Sequence, residues 1–470
     1  MIRFFNTLSG RLEVFEPLRP GEVRLYTCGP TVYDYAHIGN FRAYIFEDLL
    51  KRFLLYSGYR VFHVMNITDV DDKTIRNSQA QGLTLAEYTQ KYINAFFEDI
   101  KVLNILPADV YPRATEHIPE MVNLIKILLA KGFAYEKDGS IYYSIARFPS
   151  YGQLAKIKPE ELKPGARLEA DEYEKERAHD FVLWKKRKEG EPFWETELGP
   201  GRPGWHIECS AMSMKYLGET FDLHCGGVDN IFPHHENEIA QSEAATGKPF
   251  VRYWLHCHHL IVEGEKMSKS KGNFYTLRDL LNRGVDPLAL RFLLLSTHYR
   301  KTLNFTFEAL EQATASLQRL RDFQIEIETR TFPEGYNEEV NQIISLARKE
   351  FKEGLSDDLN ISLALSAVFS LIRKVNLLLQ QGQIKNNDIL ALKEWLKEID
   401  QVLGVLPPPP KALPEEIMAK IRLRERARQE KNYALADRLR QELLEQGILL
   451  EDTREGTRWK IISPKKTFPQ

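Results

Sequence analysis

At 470 residues the chain is too long for one hydrophobic core, and at roughly 150 residues per domain it is expected to form about three. Hydrophobic residues at 43% and charged residues at 28% exclude a disordered or fibrous protein. With 64 Lys and Arg against 66 Asp and Glu the net charge is -2, so any nucleic-acid contact must come from a local patch. No apolar run reaches membrane-spanning length, and Met1-Ile-Arg-Phe-Phe lacks the apolar stretch and cleavage site of a leader, so a cytosolic protein without a membrane partner is expected. In that reducing compartment the four cysteines are expected to be free thiols, metal ligands or catalytic groups rather than a disulfide scaffold.

From Glu22 to Met65 the pattern is strand, turn, helix, strand. Val23-Arg-Leu-Tyr-Thr-Cys28 alternates and stops at Gly29-Pro30. Between Phe41 and Tyr56, Ile45, Leu49, Leu50, Phe53 and Leu54 recur at helical spacing, and Gly58 ends the helix before Val61-Phe-His-Val-Met65. This is a βαβ unit of a parallel sheet in an α/β domain. Ile67 to Arg113 reads as mainly helical, and Gly139 to Ser144 as a strand within an insertion. The charged stretch Lys156 to Lys188 is expected on the periphery of that insertion. Phe221-Asp-Leu and Trp254 to Val262 are expected to complete the sheet.

Beyond Asn304 the periodicity is helical, in Ala309 to Leu320, Ile343 to Glu353, Leu363 to Leu379 and Ile389 to Leu403, which predicts a bundle. Pro407 to Pro410 cannot lie inside a helix and reads as a semi-rigid spacer. From Lys411 to Gln470 there are 14 Lys and Arg against 10 Asp and Glu, a local positive excess, with Arg422, Arg424, Arg426 and Arg428 on alternate positions. Alone, that run reads as a solvated helical face.

Two loops carry phosphate chemistry. Thr31-Val-Tyr-Asp-Tyr-Ala-His-Ile-Gly-Asn40 joins the first strand to its helix. Gly39 allows a nucleotide close to the backbone, the helix N-terminus favours phosphate, and His37 and Asn40 are donors. Lys266-Met-Ser-Lys-Ser270, then Lys271-Gly-Asn, sets Lys266 and Lys269 three apart beside Ser268 on a loop suited to clamp a triphosphate. Seven of twelve histidines (206, 224, 234, 235, 256, 258, 259) and three of four cysteines (209, 225, 257) fall between His206 and His259, which points to a metal. His234 and Glu238 share a helix face, Cys209 is a candidate third ligand, and Cys28 ends a strand at the carboxyl edge of the sheet.

The two loops resemble the paired signatures of class I aminoacyl-tRNA synthetases, with Asn40 where that class usually has histidine. The chain is further similar to the cysteinyl-tRNA synthetase family at Cys28-Gly-Pro-Thr-Val-Tyr-Asp, Met65-Asn-Ile-Thr-Asp-Val-Asp-Asp-Lys73, Pro203 to Met212, His234 to Glu243, Lys266 to Asn273, His298-Tyr-Arg and Gly456-Thr-Arg-Trp459. The resemblance implies activation of L-cysteine with ATP and transfer to tRNA(Cys), by His37, Asn40, Lys266 and Lys269. It also implies one Zn2+ on Cys28, Cys209, His234 and Glu238, and Mg2+ with the ATP. The amino acid would meet Cys28, Gly29, Thr68, Trp205 and Asp229, and Trp205 reads equally as a core anchor. Arg428, Tyr433, Asp437, Asp452 and Trp459 match the family's tRNA-reading tail, or hold a small fold together.

Cys225 stands where the family pattern has glycine, and Cys257-His-His259 replaces a small polar segment. These thiols either pack as apolar groups or form a rival metal site with His256, His258 or His259. Zinc has a physical purpose, because a hydrophobic pocket separates near-isosteres such as cysteine and serine by only about 10–200-fold, whereas a thiolate is a far better zinc ligand than a hydroxyl. An editing domain is then unnecessary, and the insertion is too short to hold one. The implied organisation is a Rossmann-like catalytic domain in two halves, 1–113 and 201–255, split by a connective insertion at 114–200. A lysine-loop region at 256–303, a tRNA-binding helical bundle at 304–406 and an anticodon-binding module at 407–470 follow. The alternatives are a related cysteine ligase with an amino-sugar acceptor and a non-catalytic tRNA-binding or zinc-binding paralogue. With no apolar seam evident, a monomer is expected.

Overall fold

The computed structural model describes residues 1–157, 180–330, 332–407, 414–453 and 456–461. Most of the charged stretch Lys156 to Lys188 and residues 408–410 of the proline run lie outside these described residues.

The central sheet is parallel. Its first strand, β1 (Glu22–Thr27), leads through helix α1 (Ile38–Tyr56) to β2 (Arg60–Met65). After the insertion come α2 (Trp205–Leu217), β3 (Phe221–Gly227), α3 (Glu236–Thr246) and β4 (Val251–Cys257). The spatial order is β4-β3-β1-β2, with Leu25 beside Leu223 and Val23 beside Val61. Strand order therefore reverses between β1 and β3, and the crevice at their carboxyl ends is where open α/β sheets bind ligands. Cys28 is the first residue past β1.

Helix α1 begins earlier than its apolar repeat suggests, because His37 and Asn40 close a reciprocal cap at its N-terminus. Its charged residues are buried as well as its apolar ones. Asp48 pairs with Arg52 at 2.8 Å and with Arg291, while Arg52 and Arg291 also donate to the carbonyls of Gln401 and Leu403. A buried carboxylate thus gains two guanidinium partners, and those guanidinia cap carbonyls near the end of a helix at Asn386–Leu403.

The insertion folds as an antiparallel sheet of Ala134–Lys137, Ser140–Tyr143, Phe181–Lys186 and Gly201–Pro203. The strand expected at Gly139 to Ser144 is Ser140–Tyr143, and Ile67 to Arg113 carries the helices Asp72–Ala80 and Leu85–Val102. One expectation needs correction: Trp254 to Val262 is not a single strand. The chain leaves the central sheet after Cys257, where exposed His258 donates its N–H to the Tyr299 carbonyl, and Leu260–Val262 pairs instead with Leu303–Phe305 and Glu265–Lys266.

The described residues divide into two compact units, one of Met1–Thr314, Glu350–Ser366 and Gln401–Gly404, the other of Ala315–Lys349, Ala367–Asp400 and Val405–Gln470. In the second unit Trp395, Leu317, Val340, Leu371, Val375 and Leu392 are buried, and Arg348 grips Glu398 with two bonds of 2.7 and 3.0 Å. Its final part comprises helices Glu415–Gln429 and Tyr433–Glu445 and a hairpin of Ile448–Thr453 and Gly456–Ile461, around Ile421, Leu443, Ile448 and Leu450. Among the described residues one helix, Ile361–Gln380, is long and apolar enough to cross a membrane by length and composition. Arg373 and Lys374 interrupt it and half of it is buried, as in a bundle helix.

Candidate active site

Four side chains meet at the carboxyl end of β1 and β3. Cys28 follows β1, Cys209 lies in the first half of α2, and His234 and Glu238 come from the turn and helix after β3. Their ligand atoms all lie within 4.8 Å of one another. Cys209, His234 and Glu238 are buried and Cys28 is half-buried. His234 Nε2 sits 3.1 Å from Glu238 Oε1, as the four-residue spacing requires. His234 itself belongs to a π-helical turn, Ile231–His235, that runs into α3, so the shared face begins one turn before the α-helix.

The electrostatics split the four groups: Cys209 and Glu238 are held deprotonated, while a hydrogen bond to Cys209 and burial push the Cys28 thiol well up and His234 keeps its proton. A hydrogen bond from Cys28, aided by His234 and opposed by burial and Glu238, holds Cys209 down to about 6. Burial alone would lower His234, yet Cys209 and Glu238 bring it up to about 10. Burial works against the Glu238 carboxylate too, but His224 and His234 bring it down to about 2. Two soft sulfurs, an imidazole and a carboxylate are a donor set that fits Zn2+, whose binding would displace the protons of Cys28 and His234.

A second set overlaps the first. Cys28 and Glu238 also lie within 4.8 Å of the ligand atoms of His224 and His235. His224 Nε2 is 3.0 Å from Glu238 Oε2, and its ring stacks on Trp254 at 4.5 Å. His235 Nε2 is 3.2 Å from Cys28 Sγ, while its Nδ1 is 2.8 Å from His256 Nε2. These roles escaped the sequence reading, although both histidines stood in the dense region; alternation along β3 points His224 inward, and only the fold reveals it. The rival site is not formed: among the described residues no metal-sized group includes Cys225, Cys257, His256, His258 or His259. Cys225 and Cys257 are buried against α1, Cys257 Sγ lies 3.8 Å from the Arg42 carbonyl, and burial pushes its thiol up to about 11. They pack as small apolar groups.

Trp205, the first residue of α2, stacks on His234 with centroids 4.1 Å apart, so it walls the metal-ligand cluster. Gly29 approaches the segment just past β2 so closely that an added Cβ would lie 1.8 Å from the Asn66 carbonyl oxygen. Thr68 is buried, and its hydroxyl donates to Glu208 at 3.0 Å. Asp229, just past β3, acts electrostatically on His37.

The two loops expected to meet phosphate are joined. Ile38 N donates to the Tyr275 carbonyl at 3.0 Å, His37 bridges Thr276, and the His37 ring meets Phe274 edge-on at 5.3 Å. Gly39 leaves space that an added Cβ would close against the His37 ring at 2.9 Å and Met267 at 3.3 Å. The helix N-terminus is less open than expected, because Asn40 N donates to His37 Nδ1 at 3.3 Å and Asn40 Oδ1 accepts from His37 N at 3.1 Å. With Nδ1 accepting, a neutral His37 carries its proton on Nε2. Burial, with Lys269 adding to it and Asp229 and Asp34 opposing, lowers His37 to about 4, so the ring is neutral at pH 7. Lys269 donates to Asp34 Oδ2 at 2.6 Å and lies 5.0 Å over the Phe274 ring. Ser268 N is held by Asn273 Oδ1 at 2.8 Å, and Lys266 is exposed at the end of its short strand.

In the second unit Arg428 is exposed in the last turn of Glu415–Gln429, and Arg424 of the alternating arginines is buried. Tyr433 opens the next helix with 60% of its surface exposed, and Asp437 is exposed one turn later. Asp452 and Trp459 lie on the two hairpin strands, Trp459 opposite Leu450.

Residues 14–315 match the family model for the class I (C) tRNA synthetase catalytic domain, and residues 350–407 match the DALR domain. Over 97% of this chain and 99% of the relative, the sequence is 52% identical to a cysteine–tRNA ligase of Chlamydia muridarum. It is 51% identical to one of Solibacter usitatus over 98% and 99%. The fold resembles a methionyl-tRNA synthetase of Mycobacterium tuberculosis in complex with methionyl-adenylate, with a TM-score of 0.59 and 16% identity over 82% of this chain and 90% of that one. On fold, motif pair and full-length identity, the chain belongs to the class I aminoacyl-tRNA synthetases, in the cysteine–tRNA ligase family.

Proposed function

We propose that the crevice at the switch point activates L-cysteine with ATP and passes the cysteinyl group to tRNA(Cys). The observation that carries this reading is that the thiol-rich ligand set and the loop of His37 both lie at the carboxyl end of β1, with the lysine-loop segment bonded to that loop and Asp229, just past β3, acting on His37. The substrate carboxylate attacks the α-phosphorus in line, the bond to the β-phosphate breaks, and pyrophosphate leaves. The tRNA terminal hydroxyl then attacks the adenylate carbonyl and AMP departs.

His37 Nε2–H and Asn40 meet the phosphates as neutral donors, while Lys266 and Lys269 supply the charge that stabilises the leaving pyrophosphate; Gly39 and Ser268 shape the two loops. Catalysis on this reading is positioning and charge neutralisation, with no covalent enzyme intermediate. Mg2+ enters with the ATP.

Cys28, Cys209, His234 and Glu238 would hold Zn2+, which when bound supplies a thiophilic Lewis acid that selects the substrate thiolate over a hydroxyl. This set is favoured over Cys28, His224, His235 and Glu238 because it offers two sulfurs and leaves the neighbouring histidines as supports. In those supports His224 backs Glu238, and His235 backs Cys28. Trp205 closes the side-chain pocket, and Gly29, Thr68 and Asp229 meet the rest of the amino acid.

We assign activation to 1–113 and 201–303 around the 114–200 connective segment, and tRNA binding to 304–406 and 407–470, acting in the cytoplasm. In the tail, Arg428, Tyr433, Asp437, Asp452 and Trp459 are residue types suited to stacking and edge recognition of splayed bases. The DALR match and the near-complete coverage of tRNA ligases favour tRNA over an amino-sugar acceptor. Cysteine-dependent ATP–pyrophosphate exchange followed by tRNA(Cys) charging tests the reading; exchange without charging would favour the amino-sugar ligase, and no exchange would favour a non-catalytic paralogue.

A further inference from the structure

Behind Gly29 and Thr68 runs a buried chain of hydrogen bonds that none of the roles above uses. Gly29 N–H donates to Asn66 Oδ1 at 2.9 Å, which fixes the orientation of the Asn66 amide. Asn66 Nδ2 then donates to Thr68 Oγ1 at 3.1 Å, and the Thr68 hydroxyl donates to Glu208 Oε2 at 3.0 Å. Glu208 is fully buried in the first turn of α2, and Asn66 and Thr68 are buried with it. Its other oxygen, Oε1, is buried without a hydrogen-bond partner among the described residues.

This chain has a direction. The Gly29 N–H is spent on Asn66, and the single hydroxyl hydrogen of Thr68 is spent on Glu208. What Gly29 and Thr68 can still offer is acceptor capacity: Thr68 Oγ1 takes one bond from Asn66 and has a second lone pair. A wall of acceptors suits an ammonium and disfavours a carboxylate.

We propose that Glu208 and Asn66 are positioning residues that set the hydrogen-bond polarity of Gly29 and Thr68, so that this wall reads the α-ammonium of the substrate and turns its carboxylate toward the nucleotide. The proposal rests on the reading that Thr68 faces the amino acid. It assigns specificity for an amino acid, as opposed to any thiol acid, to two side chains that do not touch the substrate.

The test compares L-cysteine with 3-mercaptopropionate, which has the same thiol and carboxylate but no amino group. Equilibrium binding of each is measured by calorimetry on the zinc-loaded full chain, for Glu208→Gln, Asn66→Ala and Thr68→Val, with zinc content as the check on folding. The Gln amide can donate to Thr68 and free its hydroxyl hydrogen to point at the ligand. Losing one bond to a charged group then weakens cysteine by about ten-fold or more. Binding of 3-mercaptopropionate stays within about twofold. Asn66→Ala frees the Gly29 N–H and gives the same selective loss, so it decides the matter if Glu208→Gln fails to retain zinc. Equal weakening of both ligands, or of neither, in the zinc-loaded variants overturns the relay. If Thr68→Val still loses cysteine selectively, the reading of Thr68 survives that failure; if Thr68→Val spares cysteine, the reading fails and takes the relay with it.

Discussion

Gly29→Ala is a minimal change that reaches the proposed amino-acid site. An added Cβ would stand 1.8 Å from the Asn66 carbonyl oxygen and 2.9 Å from Met65 Cγ. Since nonbonded heavy atoms settle at roughly 3.5 Å, relief requires the two backbones to part by about 1.7 Å, and backbone cannot yield as a flexible side chain would. The displaced segments carry Cys28 and Thr68, so the proposed metal ligand and the proposed amino-acid contact lose register together. Misplacement by about 1 Å costs on the order of 10²-fold in rate. The expected result is a fall of about 10²-fold or more in kcat/KM for cysteine in ATP–pyrophosphate exchange, with affinity for tRNA(Cys) retained. Activation within about threefold of the parent would refute the close approach and the placement of the amino acid beside it.

Lys269→Ala is expected to lower the maximal activation rate by about 10²-fold or more, as for other preorganised charge stabilisers, and a raised KM for ATP at unchanged rate would make the lysine a ground-state binder. His37, lowered to about 4, should stay neutral through pH 5–9, which an NMR titration of its ring would show; a midpoint near 6.5 would contradict the burial argument. Because the unfolded chain binds this proton more readily, the stability His37 contributes is present above about 6.5 and is lost as pH falls toward about 4. Arg428→Ala and Tyr433→Ala should raise the KM for tRNA(Cys) and leave cysteine-dependent exchange unchanged, and an equal loss in both assays would remove the tail from tRNA reading.

Much of this was legible because local chemistry and global position agree. The βαβ unit showed in the alternation of Val23 to Thr27 and the helical repeat of Ile45 to Leu54, and His234 and Glu238 were paired by their spacing alone. What stayed hidden depends on contacts between distant segments. Nothing near Thr68 in sequence announces Glu208, and nothing in the lysine loop announces Asp34, since each pair joins segments far apart in the chain that only the fold brings together. The break at His258 was invisible for a related reason: Leu260 to Val262 is as strand-like as Val251 to Cys257, and its partner is chosen by Leu303 to Phe305. Two overlapping ligand sets arise because β3 and the following turn bring His224 and His235 to the same carboxylate, which a linear pattern of histidines cannot resolve.

X-ray absorption at the zinc edge, on the full chain with one equivalent of metal, bears on the central claim most directly. Binding at Cys28, Cys209, His234 and Glu238 predicts two sulfur ligands and one imidazole, with one further sulfur on addition of L-cysteine and none on addition of L-serine. A spectrum with one sulfur and two imidazoles would place the metal on Cys28, His224, His235 and Glu238, and a sulfur count unmoved by cysteine would contradict thiol selection by the metal.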